Sequence, residues 1–186
     1  MPCRSLFVWL FALSCLLFLP TAAALQLSEK MSVTAYDAEG RAYPIGTLHS
    51  EPQGDAFRVR FELTGKGFSE HFLSMRPFRC LVQAPNMVCF LEYPYELRGV
   101  VTADDLTDLE YQLLFLKKTP TEYGINPWNG LYYKLRVDGK RLIGELHETD
   151  LNVLAAPPEE GDLRPIKAEE VYEADDNNWL PRLVIE

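Results

Sequence analysis

The chain has 186 residues and carries 18 Lys and Arg against 27 Asp and Glu, a net charge of −9 at neutral pH. An acidic balance argues against nucleic acid or an anionic membrane surface as partner, because both attract basic patches. The length is enough for a real hydrophobic core and short for two domains.

Residues 1–24 read as a secretory signal peptide. Met1 to Arg4 forms a short positive stretch, Ser5 to Leu19 is uncharged and almost wholly apolar, Pro20 breaks the run, and Ala22-Ala23-Ala24 offers small residues for cleavage. The run is shorter than the roughly 20 residues a membrane-spanning helix needs. Cleavage after Ala24 is expected, leaving one globular domain over 25–186 with no integral membrane segment and a periplasmic or secreted address. Removal of residues 1–24 takes one positive charge, Arg4, and no acid, leaving 17 basic against 27 acidic side chains, a balance of −10. A competing address is a lipoprotein box at Ala12-Leu13-Ser14-Cys15. Against it, alanine stands where leucine is expected three residues before the cysteine, and the apolar run continues to Leu19. None of the six asparagines lies in an Asn-x-Ser/Thr sequon, in keeping with a bacterial envelope protein.

Most of the remaining chain reads as strand and turn. Met31 to Tyr36 alternates and meets the turn cluster Asp37 to Gly40. Ala42 to His49 is the returning strand, with Pro44 placing it near an edge. Phe57, Val59, Phe61 and Leu63 alternate with Arg58, Arg60 and Glu62, the pattern of a half-buried strand. Cys80 to Phe90 reads as a hairpin turning at Gln83 to Asn86. Pairing outward sets Val82 against Met87, Leu81 against Val88 and Cys80 against Cys89, so the two cysteines are expected to form a disulfide. A redox role is disfavoured because the spacing is not Cys-x-x-Cys.

One amphipathic helix is predicted over Ala103 to Lys118. Thr102 would cap it, with Asp105 three residues on. Asp104, Asp105 and Asp108 lie at its positive end and Lys117-Lys118 at its negative end. Leu106, Leu109, Leu113 and Leu116 share a face, and Pro120 ends it. A loop, Thr121 to Gly130, then carries aromatics and two asparagines. Leu131 to Val137 and Arg141 to Leu146 form a second hairpin, with Asp138-Gly139 signalling a type I′ turn. A loop rich in Pro, Gly and acids spans Ala155 to Arg164. A short helix near Ala168 to Glu173 and a last strand, Leu180 to Ile185, close the chain. The predicted class is β-rich α+β: an antiparallel, partly closed sheet with one amphipathic helix and a disulfide-clamped hairpin.

Catalytic signatures are weak. His49, His71 and His147 form no helical His-x-x-x-His or HExxH pattern. Ser69-Glu70-His71 spells a triad, but Ser69 and His71 would share a strand face while Glu70 points away. His147 and Glu148 point to opposite faces of a strand and do not chelate together, so no metal or cofactor is expected. The aromatics Tyr93, Tyr95, Tyr123, Trp128, Tyr132 and Tyr133 lie on or beside loops, where such rings stack on sugars or dock proteins, or else close the end of a core. The residues singled out as ligand-binding are Tyr123, Asn126 and Trp128. The functional expectation is a secreted or periplasmic accessory protein that binds an envelope saccharide or protein partner without catalysis. The alternatives are a small hydrolase of envelope polysaccharide using two carboxylates, and an acidic inhibitor of a cationic secreted enzyme.

Overall fold

The computed structural model describes residues 25–74 and 76–186. The signal-peptide reading of residues 1–24 and the lipid box at Cys15 lie outside the described residues.

Twelve strands form one sheet, all of whose pairings are antiparallel among the described residues. In chain order they are β1 (Lys30–Tyr36), β2 (Ala42–Gln53), β3 (Ala56–Glu62), β4 (Phe68–Phe72), β5 (Pro77–Gln83), β6 (Asn86–Phe90), β7 (Val100–Val101), β8 (Phe115–Lys118), β9 (Gly130–Asp138), β10 (Arg141–Thr149), β11 (Val171–Glu173) and β12 (Arg182–Ile185). Across the sheet the order is β4-β5-β6-β8-β9-β10-β12-β1-β2-β3-β7, with β11 also paired to β10.

Local chemistry explains the hairpins. Met31, Val33 and Ala35 alternate into the core. The Asp37 carboxylate then gathers the turn by accepting from the Glu39 and Arg41 amides, the Arg41 guanidinium and the Tyr43 hydroxyl. The β2 strand is central rather than an edge, and Pro44 sits beside a bulge where the register shifts between Val33 and Thr34. The Cys80 hairpin has the expected register down to Gln83 opposite Asn86, and the Cys80–Cys89 disulfide is formed with Cα atoms 4.0 Å apart. At the β9–β10 turn, Gly139 holds φ at 62° and the following Lys140 does not have positive φ. Type I′ needs positive φ at both central residues, so the turn is not the expected type I′.

The sheet is buried on both faces over its middle. One core holds Val33, Leu48, Val59, Leu109, Leu113 and Phe115, and the opposite face packs Cys80, Cys89, Tyr111, Leu114 and Leu116. This arrangement overturns the long helix. The only α-helix among the described residues, α1, is Thr107–Glu110, followed by a 3-10 turn at Tyr111–Leu113 and then β8. Leu114, Phe115 and Leu116 alternate between the two cores, and Phe115 and Leu116 pair with β6 and β9, so their true period is two. The leucine spacing fits a helix face only until both sheet faces are counted as core. Thr102 makes a tight turn instead of a cap: its hydroxyl accepts the Asp105 amide at 3.2 Å, while α1 has no side-chain cap. Likewise Ala168–Glu170 is a single 3-10 turn leading into β11.

The expectation of a partly closed sheet is also corrected: the sheet is not closed. Its terminal strands, β4 and β7, do not pair with each other. The cause lies at β3. After β7 covers Phe57 and Arg58, the outer edge of β3 meets a loop carbonyl and side chains where another strand would sit. Gly99 accepts the Val59 amide at 2.7 Å, Gln112 accepts the Phe61 amide at 2.7 Å, and Arg79 donates to the Leu63 carbonyl at 2.8 Å. Those bonds satisfy the edge without a ladder. Among the described residues no helix is long and apolar enough to cross a membrane.

Candidate functional site

The loop singled out from the sequence faces solvent. Tyr123 is fully exposed and Trp128 is 68% exposed. Asn126 and Trp128 are brought together in one cap: the Asn126 side-chain oxygen accepts the Trp128 amide at 3.2 Å and starts the 3-10 turn Pro127–Asn129. Tyr123 lies upstream in the same loop. There the Lys118 ammonium donates to the Glu122 and Gly124 carbonyls at 2.8 and 2.6 Å, and fixes the loop's path. Tyr132 and Tyr133, grouped with these rings in the sequence, are core residues whose hydroxyls donate to Glu110 and to the Leu180 carbonyl. Tyr93 and Tyr95 are half-buried and donate to the Leu163 and Leu154 carbonyls.

The buried acids serve the scaffold. Glu110 accepts from the Tyr132 hydroxyl and the Leu135 amide. Burial pushes its carboxyl above its ordinary value, although both bonds pull the other way. Asp108 receives the Val100 amide and the Arg164 guanidinium, which also binds Asp105. Burial raises the Asp105 carboxyl, but Arg164 and Thr107 outweigh it and hold the group below its ordinary value. Ser69 and His71 do meet, with the hydroxyl 3.0 Å from the ring, but among the described residues no carboxylate bonds that ring. Asp150 caps the 3-10 turn Leu151–Leu154. Among the described residues, no three or more His, Cys, Asp or Glu side chains gather as metal ligands.

A cleft of about 950 Å³ lies at the open seam of the sheet, along the edge of β3 beyond β7. Arg58, Arg60, Arg76, Arg79 and Arg98 line it, five of the chain's eleven arginines, against Glu62, Glu70 and Glu92. Every arginine between residues 58 and 98 is in this set. Among the described residues, only Arg60 of the five is within ion-pair distance of a carboxylate, Glu62 at 3.7 Å. Phe61, Phe78, Phe90, Tyr93 and Tyr95 supply apolar surface between the charges, and the Arg76 guanidinium stands over the Phe78 ring at 5.1 Å. The sequence did show Arg58 and Arg60 on the solvent side of a strand. Their convergence with Arg76, Arg79 and Arg98 depends on the sheet curling far enough to set Phe61 of β3 against Phe90 of β6, 5.7 Å between rings. Chemically, the cleft offers guanidinium donors suited to carboxylate, sulfate or phosphate oxygens above an aromatic floor.

No protein-family model, no curated protein and no solved structure matches this chain.

Proposed function

We propose that this chain is an exported, periplasmic or secreted, non-catalytic binding protein whose ligand is anionic and lies in the cleft at the sheet's open seam. The observation that carries the reading is the gathering of five arginines, four of them without a carboxylate partner among the described residues, in a chain of net charge −9. In a chain of net negative charge, a cleft lined by arginines is a favourable place for an anionic ligand. The loop carrying Tyr123, Asn126 and Trp128 is a second contact surface, supported by the exposure of its two large rings.

The test is calorimetric titration with two probes, an oligogalacturonate and a glutamate-rich peptide, at low and at high salt. Binding of at least one probe that weakens steeply with salt, and that Arg58→Glu with Arg98→Glu abolishes while both probes are recovered intact, supports the reading. Salt-independent binding, binding unaffected by the two substitutions, or cleavage of the probe refutes it.

A further inference from the structure

Resting on that reading, we infer that the anionic ligand is an extended acidic peptide that adds to β3 as a further strand and takes the place of the Gln112 side chain.

The edge of β3 is the starting point. Its backbone groups at Val59, Phe61 and Leu63 face the cleft, because β2 takes the opposite edge. Over Val59 and Phe61 the Gln112 carboxamide acts as a stand-in for a strand residue. Its oxygen accepts the Phe61 amide at 2.7 Å and its nitrogen donates to the Val59 carbonyl at 3.3 Å. A carboxamide carries the same donor and acceptor as a main-chain residue, so a peptide laid along this edge finds the same two bonds. Gln112 is not stranded when displaced, since its nitrogen also reaches the Asp108 carbonyl at 3.2 Å. The Gly99 carbonyl already holds the Val59 amide and Arg79 the Leu63 carbonyl, so the stretch a peptide can pair runs from the Val59 carbonyl to the Leu63 amide, about 13 Å at roughly 3.3 Å per residue, enough for a segment of about four residues.

The chemistry of the walls sets the composition of that segment. Arg58 and Arg60 project from β3 itself, Arg98 leads into β7, and Arg76 and Arg79 stand on the β5 side. A strand added beside β3 turns alternate side chains to the two faces of the sheet, and its carboxylates, all on one face, meet the guanidinium groups of Arg58 and Arg60. The aromatic floor receives the apolar positions of the same strand. An acidic saccharide satisfies the arginines equally well, but it has no main-chain amide and carbonyl to replace the Gln112 carboxamide on Phe61 and Val59; that difference decides for a peptide.

The experiment separates the two levels of the claim. The protein is titrated with an acetylated, amidated seven-residue peptide alternating glutamate with valine, with the same peptide N-methylated at alternate residues, and with an oligogalacturonate of equal charge. The expected result is binding of the first peptide, about tenfold or greater loss on N-methylation as main-chain bonds disappear, and protection of the Phe61 amide from hydrogen exchange in the complex. Gln112→Ala, which empties the stand-in, is expected to hold or tighten the peptide, while Arg58→Glu with Arg98→Glu releases it. If the N-methylated peptide binds as tightly, or only the oligogalacturonate binds, strand addition is overturned and the anionic cleft stands. If no probe binds in an arginine-dependent way, both fall. Circular dichroism of each variant shows whether a loss reflects unfolding.

Discussion

The Gln112 carboxamide and the backbone of Phe61 form the bond that marks where the sheet stops, 2.7 Å from amide nitrogen to side-chain oxygen. An unpaired edge strand invites pairing with other chains, and proteins cover such edges with loops or side chains. Here one side chain does so, with Gly99 and Arg79 on either side of it. Gln112→Ala is therefore expected to lower stability by about 1–2 kcal/mol, because two backbone groups lose their partner but gain access to cleft water. Gln112→Glu keeps the acceptor and loses the donor, and is expected to fall between. Amide exchange at Phe61 is the direct readout. Unchanged protection in Gln112→Ala means the carboxamide does not guard the edge.

Glu110 makes stability depend on pH in an unusual sense. Its carboxyl is held above its ordinary value, 4.5, chiefly by burial. The native state thus favours the protonated form. The stability this contributes is full below the unfolded carboxyl's value and is lost as pH rises through the folded one. Glu110→Gln keeps an acceptor for the Leu135 amide without the buried charge, so its stability relative to wild type is expected to rise across that window. Glu110→Ala leaves the Leu135 amide and the Tyr132 hydroxyl unpaired, and is expected to cost about 1–3 kcal/mol. Glu148 has the opposite sign. Burial raises its carboxyl, but bonds from Lys117 and Asn178 bring it below its ordinary value, and its contribution is lost as pH falls. Unfolding midpoints of both Glu110 variants between pH 4 and 8 check this. A Glu110→Gln variant that tracks wild type at every pH removes the argument.

Leu109 and Thr102 separate burial in the core from a single turn bond. Leu109 is fully buried. Leu109→Ala is expected to cost about 2–4 kcal/mol although the element around it is a single helical turn and not a long helix. The Thr102 hydroxyl holds one turn amide, so Thr102→Ala is expected to cost about 1 kcal/mol or less. Chemical denaturation of the two variants gives both numbers. Equal losses contradict the burial of Leu109.

The strands were legible where turn chemistry and period-two alternation agreed, as in Asp37 to Gly40 between β1 and β2, and in the disulfide hairpin. They failed where both faces of the sheet are buried. From Leu113 to Leu116 the apolar run has no polar side from which to read a period, and the leucines further up the chain suggested a helix. The cleft was hidden for a different reason. Arg58 and Arg60 look like ordinary solvent-facing strand residues, and Arg79 joins them only because its guanidinium crosses to the Leu63 carbonyl. Nothing in local pattern encodes a contact between residues so far apart in the sheet order.

Trp128 separates a contact surface from a core plug. The ring is 68% exposed, and its amide, not its side chain, is what Asn126 uses to start the 3-10 turn. A buried tryptophan typically costs about 3–5 kcal/mol when cut to alanine, whereas an exposed contact residue costs affinity and little stability. Trp128→Ala is therefore expected to unfold close to wild type and to lose capture of whatever saccharide or protein partner the wild type retains from envelope extract. Asn126→Ala is expected to behave differently: it removes the cap, costs about 1 kcal/mol, and weakens capture only by loosening the loop. Tyr123→Ala, cut from the most exposed ring of the loop, should resemble Trp128→Ala. A large drop in the unfolding midpoint of Trp128→Ala makes the ring structural. Full capture by Trp128→Ala and Tyr123→Ala together leaves the seam cleft as the chain's contact site.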